Sequence, residues 1–460
     1  MNADRQFNYQ FAHALNSLSS FLLYICGLKQ KSMRSFFLSI LLIFTFIAVH
    51  AQDELKVMQY NLLNYGNFTD YCTAANNNIV TKNGYLTTIF DYVKPDILTV
   101  NEMAENSTYH EYLLSATLNV NGETAYKRAL MAPEAQGDWL VNMLYYNSKK
   151  LTLHKHDVIN TIIRTTDVYT LFYNAADLAQ THDTAFISCI VTHLKAGSTA
   201  TDAADRALMT GTVMNYIQSH DLKNNYLFMG DFNVYTSTEL AYQNLIKSYN
   251  GLYYLYDPIA SAGAWNNNSI FSSIHSQSTH TENNGCASTG GMDDRFDQIL
   301  SSADLMNGTH GMQLLPETYK SLGNDGLHFN LSIIAAPTNT SVPADVLNAL
   351  YNNSDHLPIV VQIRTDQSYL QIEENASMDE IKFQNPVQQQ LNVSLSFSNA
   401  TTFELRIYDL TGRIQKLVSG LPKSKLHQLS IPVSELKKGI YFLQLRKEDG
   451  TETTSKFIKQ

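Results

Sequence analysis

The sequence predicts an α/β domain followed by a small all-β domain. Between Asp53 and about Thr365, short apolar runs rich in β-branched residues alternate with helix-like and loop-like stretches. After a polar stretch at 366–378, the pattern changes to short alternating strands with turn punctuation. The composition, 44% hydrophobic and 11% aromatic over 460 residues, fills a large core and suits two or three domains. It points neither to disorder nor to a multi-span membrane protein.

At the N-terminus, Lys31 and Arg34 flank an apolar stretch from Ser35 to Ala48, and Val49, His50 and Ala51 end it in a small-x-small pattern. This reads as a secretory signal peptide, cleaved after Ala51 to leave Gln52. The run is too short and wrongly flanked for a membrane span. Residues 1–32 form no part of such a signal, so translation is expected from Met33 with 1–32 a start-site extension. The alternative is an uncleaved N-terminal anchor.

The runs Leu55–Tyr60, Ile97–Val100, Val141–Tyr146, Ala185–Thr192, Tyr226–Met229, Phe296–Leu300 and Leu357–Ile363 have the length and branching of buried strands. A helix is expected over Ala203–Ser219, with Asp202 as its N-cap. Residues 258–292, rich in Ser, Asn, Thr, Gly and His, read as a long surface loop, and 303–352 as a second insertion. The domains are then 52–367, a linker at 368–378, and 379–460. In the last, Phe403–Leu410 alternates, Thr411 and Gly412 supply a turn, and Lys438 and Gly439 another before Ile440–Leu445, the pattern of a β-sandwich.

The formal charge is −10 overall, with +3 on residues 1–51 and +4 on 379–460, which leaves −17 between them. A nucleic-acid binder normally shows a basic footprint, and none is evident. Bound divalent cations would change the local field, so a nuclease is not excluded. Of the four cysteines, Cys26 lies in the leader and Cys189 in an apolar run, where it reads as an inert core residue. Cys72 and Cys286, in polar stretches, either form one disulfide outside the cytoplasm or remain two thiols. No cysteine–histidine cluster suggests zinc.

Six polar sites fall at ends of the apolar runs: Asn61, Glu102, His193, Asp231 with Asn233, Asp297, and Asp355 with His356. Carboxylates and amides at strand ends can converge on one rim of a sheet. Such hard oxygen ligands select Mg²⁺, Mn²⁺ or Ca²⁺ over zinc. A hard cation beside histidines suits a phosphate whose charge must be clamped. Each site alone has a plain structural reading, as a turn, a helix cap or a surface ion pair of Asp297 with Arg295. Their common position and order argue against chance.

The ordered set, and above all Gly230-Asp-Phe-Asn233, Arg295-Phe-Asp-Gln-Ile299 and Ser354-Asp-His-Leu-Pro358, resembles the endonuclease/exonuclease/phosphatase superfamily over about Val57 to Ile363. The resemblance implies a four-layer α/β/β/α sandwich with the site at one edge of two packed sheets. It implies that Glu102 binds the divalent metal, Mg²⁺ first and Mn²⁺ or Ca²⁺ next, with Asn61 beside it and Asp355 adjacent. Asp231 would orient or deprotonate water, Asn233 hold that water or a phosphate oxygen, and His193 donate to a phosphate oxygen. His356 would contact phosphate while held by Asp297. Asn142 and Tyr145, or Tyr146 in place of the latter, would face the phosphate. Arg206 reads as a solvated helix residue.

Residues 379–460 resemble the type A sorting domain of the type IX secretion system. The resemblance rests on Asn385-Pro386, the stretch Ile407–Arg413, the stretch Leu436–Tyr441 and the ending Lys456–Gln460. It implies the export machinery as a partner and a secreted or surface location. No stable protein partner is implied otherwise. The expected function is a secreted metal-dependent phosphoesterase, foremost a nuclease acting on extracellular nucleic acid. A phosphatase, a phospholipid phosphodiesterase whose 258–292 loop exposes Trp265 and Phe271, and a non-catalytic surface binder are the alternatives.

Overall fold

The computed structural model describes residues 53–132, 139–176, 178, 184–220, 225–247, 255–365, 380–410, 412–419, 423–448 and 452–460. The signal-peptide region with Met33, the new terminus Gln52, the linker 368–378 and the turn residue Thr411 lie outside the described residues. The chain divides between Leu370 and Gln371 into two compact units.

The first unit is built on two sheets. One runs β10 (Met312–Ser321), β11 (Ile359–Thr365), β1 (Asp53–Tyr65), β2 (Ile97–Ala104), β4 (Leu140–Asn147) and β3 (Tyr126–Arg128). The other runs β5 (Leu151–Asn160), β6 (Thr165–Tyr173), β7 (Phe186–His193), β8 (Tyr226–Asp231) and β9 (Asp297–Ser301). Successive residues of a strand point to opposite faces. In β7 and β8, Ile187, Cys189, Val191, Leu227 and Met229 join the core shared with the first sheet. The alternate residues Ile190, Tyr226 and Phe228 meet a second core with Met209, Val213 and Ile217 of one helix and Tyr242 and Leu245 of another. Both faces are covered, so these strands read as unbroken apolar runs.

The helices complete the layers. α1 (Ile79–Val93) and α6 (Ala344–Asn353) bury Leu86, Ile89, Val346 and Leu350 in the first core, alongside the short α2 (Ser107–Leu113). α3 (Ala200–Ser219) and α4 (Leu240–Ile246) cover the other sheet, and α5 (Ala303–Asn307) follows β9. The architecture is a four-layer α/β/β/α sandwich. No helix among the described residues is long and apolar enough to cross a membrane.

Two details differ from the sequence reading. α3 starts earlier than expected: Thr199 is the N-cap and Asp202 the third helical residue, each side chain bonding the other's backbone in a capping box. Asp202 was a credible cap by type, but a carboxylate serves equally at the third position. Arg206 is not solvated. It is 1% exposed, with Nε and Nη2 on Glu239 Oε2 at 3.0 and 2.7 Å and Nη1 on the carbonyls of Lys195 and Gly197.

The second unit is all β. A three-stranded sheet, β12 (Glu380–Phe383), β13 (Gln390–Thr401) and β16 (Ser424–Pro432), accompanies a four-stranded one ordered β15 (Ile414–Val418), β14 (Phe403–Asp409), β17 (Gly439–Lys447), β18 (Glu452–Lys459). Leu391, Val393, Leu405, Leu443 and Phe457 are among the side chains of its single core.

Candidate active site

The site lies where strands of both sheets end together. Parallel pairing of β1 with β2 and of β7 with β8 puts Asn61, Glu102, His193 and Asp231 at or near C-terminal strand ends. β9 and β11 run antiparallel to these neighbours, so Asp297 at the start of β9 and His356 just before β11 reach the same rim. Leu63, Asn64, Glu102 and Asn233 have φ of 48, 50, 60 and 51°. Left-handed backbone at a non-glycine residue costs about 1–3 kcal/mol, and such residues gather at functional sites. Here the bend lets the Asn64 amide donate to Glu102 Oε2 at 2.9 Å and the Asn233 amide to Asp231 Oδ1 at 3.1 Å. Gly230 has a different reason to be glycine. A Cβ there would stand 1.8 Å from the Thr192 carbonyl oxygen.

Asn61 is the hub. Its Nδ2 donates to Glu102 Oε1 at 3.0 Å and Asp231 Oδ2 at 3.1 Å, and lies 3.4 Å from His356 Nε2. His193 Nε2 is 3.5 Å from Asp231 Oδ2 and 3.9 Å from Glu102 Oε1. Asn233 shares this edge through its backbone, while its Nδ2 donates to the Leu194 carbonyl at 3.2 Å. On the other flank, His356 Nδ1 lies 2.7 Å from Asp297 Oδ2, which also accepts from Ser276 Oγ at 2.8 Å. Asp355 Oδ1 is 3.9 Å from His356 Nε2, and its Oδ2 accepts from the Ser288 amide at 2.8 Å.

The electrostatics divide the two histidines. Burial, aided by Arg164 and His356, pushes His193 well below the usual histidine range, so its contacts with Asp231 and Glu102 are those of a neutral ring. Burial opposes charge on His356 too, but Asp297, Asp231 and Asp355 outweigh it and hold that ring well above the usual range. Burial raises the Asp231 carboxyl, His356 opposes this, and Asp297 and Glu102 reinforce it. Behind the acids, the buried Lys82 Nζ donates to the Asn353 carbonyl. Burial drives this lysine down to about 7 against the pull of Asp355 and Glu102.

Two expected site residues stand elsewhere. Tyr145 is fully buried, with its hydroxyl on the His110 carbonyl at 3.1 Å. Asn142 lies one layer below the rim, its Nδ2 on Asp167, Thr165 and Val191 of the second sheet and its Oδ1 on Asn101 Nδ2 at 2.7 Å. The two are three residues apart in β4, and a two-residue period places them on opposite faces. Nor does Arg295 pair with Asp297. It forks onto Asp257 at 2.8 Å through both Nη atoms, with its guanidinium 5.1 Å over the Trp265 ring. Trp265 is therefore fully buried, not a membrane-facing residue, and Phe271 packs against the same core.

The sequence reading missed Gln277 and Asn101. Residues 276–279 are no surface loop: Ser276, Ser278 and Thr279 are buried, and Gln277 bridges both Asp294 and His356. Gln277 Nε2 lies 2.7 Å from His356 Nε2 and 3.4 Å from Asp355 Oδ2. It donates to a neutral His356. With the ring charged, both ring nitrogens donate, and the amide turned end for end meets it with Oε1. Asn101 ties the sheets together, its Oδ1 accepting the Asp231 amide at 3.0 Å and its Nδ2 reaching the Thr192 carbonyl at 3.0 Å. Asn101 directly precedes Glu102, the one available signal. Cys72 and Cys286 form a disulfide, and Cys189 is a buried free thiol.

The residues fit a divalent cation. One atom each from Glu102, His193 and Asp231 lies within 4.8 Å of the others. Asp355 Oδ1 and Asp297 Oδ1 are buried without a hydrogen-bond partner. Oxygen-rich, acidic donors of this kind suit a hard ion.

Residues 383–460 match the family model of the secretion system C-terminal sorting domain. The tail is similar to a sorting domain. Among curated proteins, no sequence matches the chain. Among solved structures, an endonuclease/exonuclease/phosphatase family protein from Bacteroides thetaiotaomicron is 13% identical, over 68% of this chain and 98% of that one, with a TM-score of 0.41. An endonuclease/exonuclease/phosphatase from Beutenbergia cavernae is 13% identical, over 88% and 99%, at 0.38. D. rerio TDP2 complexed with a single-strand DNA product is 11% identical, over 68% and 100%, at 0.43. The families returned are the two that the sequence resembles.

Proposed function

We propose that the first unit is a divalent-metal-dependent phosphoesterase acting outside the cell, foremost a nuclease, and that the tail delivers it through the type IX machinery. The observation that supports this best is the meeting of Glu102, Asp231, His193 and the Asp297–His356 pair on one rim. Glu102 and Asp231, with Asn61 between them and Asp355 beyond His356, would hold Mg²⁺ or Mn²⁺. When bound, that ion would offset phosphate charge. Neutral His193 offers an N–H to a non-bridging oxygen. The charged His356, fixed by Asp297, presents its second N–H to the same phosphate. Asp231, with its proton affinity raised by burial, accepts a proton from the attacking water at Oδ2. Asn233 and Asn61 orient that water, which attacks in line with the leaving oxygen.

A phospholipid phosphodiester is the second reading. Ile270, Leu327, Leu331 and Ile334 are 82, 64, 38 and 48% exposed. They sit on segments joined by Ser272 Oγ to the Gly326 carbonyl and by Met292 to Leu331, beside the Gln277 segment. The test incubates the full chain with supercoiled plasmid and Mg²⁺ or Mn²⁺, against EDTA and His356→Ala controls. Nicking that needs both the metal and His356 supports the nuclease. Intact plasmid with hydrolysis of choline phospholipid vesicles under the same controls replaces it with the second reading. Nucleic-acid binding with no turnover of any phosphoester would leave a surface binder.

A further inference from the structure

We infer that the Cys72–Cys286 disulfide is a positioning clamp for the Glu102 and Asp355 carboxylates, so that affinity for a divalent cation depends on that bond. The inference rests on the metal reading above.

Each cysteine lies close in sequence to a backbone amide that holds one of the two acids. On the Glu102 side, the Asn64 amide donates to Glu102 Oε2 at 2.9 Å, and Asn64 Nδ2 lies 3.7 Å from Cys72 Sγ. Asn77 Nδ2 fastens the Leu63 and Asn64 carbonyls at 2.9 and 3.1 Å, which fixes that left-handed pair. On the Asp355 side, the Ser288 amide, two residues after Cys286, donates to Asp355 Oδ2 at 2.8 Å. Ser278 Oγ holds the Ser288 carbonyl at 2.7 Å, within the segment that carries Gln277.

Neither cysteine stands on a helix or strand. The two stretches carry little apolar packing: Leu63, Cys72 and Ala287, with Cys286 against them, make a small separate cluster. An exposed hydrogen bond from Asn76 Nδ2 to the Asn284 carbonyl, 3.3 Å long, also joins the stretches. A single exposed hydrogen bond holds loops weakly. The disulfide spans 214 residues of sequence. It therefore constrains the unfolded chain, but it also fixes the spacing between the Asn64 and Ser288 amides. Groups that orient metal ligands from behind are worth roughly 10- to 100-fold in metal affinity. Two carboxylates depend on this one bond.

The experiment measures Mn²⁺ binding to the full chain by the loss of the free-ion EPR signal. It compares the oxidised wild type, the wild type reduced with dithiothreitol, and Cys72→Ser/Cys286→Ser, with Cys189→Ser as control. In the reduction, each cysteine sulfur gains one electron and one proton, and the dithiol leaves as its cyclic disulfide and is removed before metal is added. Circular dichroism at the same temperature reports the fold. The expected result is a Kd for Mn²⁺ raised about 10-fold or more in both opened forms while the fold persists, with Cys189→Ser unchanged. If the double variant does not fold, the reduced wild type carries the comparison. Equal affinity in the oxidised and opened forms overturns the clamp and leaves the metal reading standing. No Mn²⁺ binding by the oxidised chain overturns both.

Discussion

Gly230→Ala tests the seam on which the site is built. Thr192 and Gly230 face each other in the β7–β8 pair, one step before His193 and Asp231. The added Cβ would lie 1.8 Å from the Thr192 oxygen and 2.8 Å from its carbonyl carbon. Both are backbone atoms, so no rotamer relieves the clash. A tolerable carbon-to-oxygen approach is about 3.3 Å, so the strands must part by about 1.5 Å at that point. The glycine's φ of 146° adds conformational cost for any L side chain. Overpacking and backbone strain together give about 3 kcal/mol. For a unit of this size that is a fall in Tm of roughly 5 °C. Asp231 also moves relative to His193 and Asn61, and a displacement of about 1 Å at reacting groups costs about 100-fold in rate. Differential scanning calorimetry and kcat on the hydrolysed substrate read the two effects. A Tm within about 1 °C of wild type and a rate within about twofold would refute the reasoning.

Three further outcomes are expected. Asp297→Asn keeps the shape but removes the charge that fixes His356, so kcat falls by roughly 100-fold or more while KM changes little; steady-state kinetics decide it, and an unchanged kcat counts against the pair. Gln277→Leu removes the amide beside His356 Nε2 and costs about 1.5–3 kcal/mol of transition-state stabilisation, read as a fall in kcat/KM with an unaltered melting curve. His110, fully buried with Nε2 on the Ala104 carbonyl at 2.8 Å, is driven down to about 4, chiefly by burial. Below pH 6.5 the unfolded chain takes up this proton and the folded chain does not. Stability is therefore full above pH 6.5 and falls as pH drops towards 4, by up to about 3 kcal/mol. Urea melts across that range should show a shallower slope for His110→Gln, and an identical slope would sink the assignment.

The strands were legible because both sheets are covered on both faces, which turns each strand into an unbroken apolar run such as Tyr226–Met229. The same double burial hid which way a residue faces. In Val141–Tyr146 every side chain is buried, so hydrophobicity alone did not separate Asn142 from Tyr145, although their spacing of three was enough to do so. The catalytic acids and histidines were legible because they interrupt apolar runs. Gln277 was not, because it lies in a Ser- and Asn-rich stretch whose composition matches any exposed loop. Its burial comes from Ser276 and Thr279 bonding residues 355–357 nearly 80 positions away. Trp265 and Arg206 were misjudged for a related reason: long-range partners, Arg295 and Glu239, decide whether a large or charged side chain goes inside.

β1 and β11 pair from Asp53 with Thr365 to Gln59 with Ile359. The unit's first and last strands thus meet at one corner, and the reacting groups beyond Asn61 lie at the opposite end, about 25 Å away at the rise of an extended strand. Whatever is attached at Thr365 is held by the heel of the domain rather than its mouth. Proteolytic removal of that attachment leaves every ladder of the catalytic sheets in place. Immobilisation through it leaves the mouth turned outward to large polymers. A cargo leashed in this way can work equally well free or fixed.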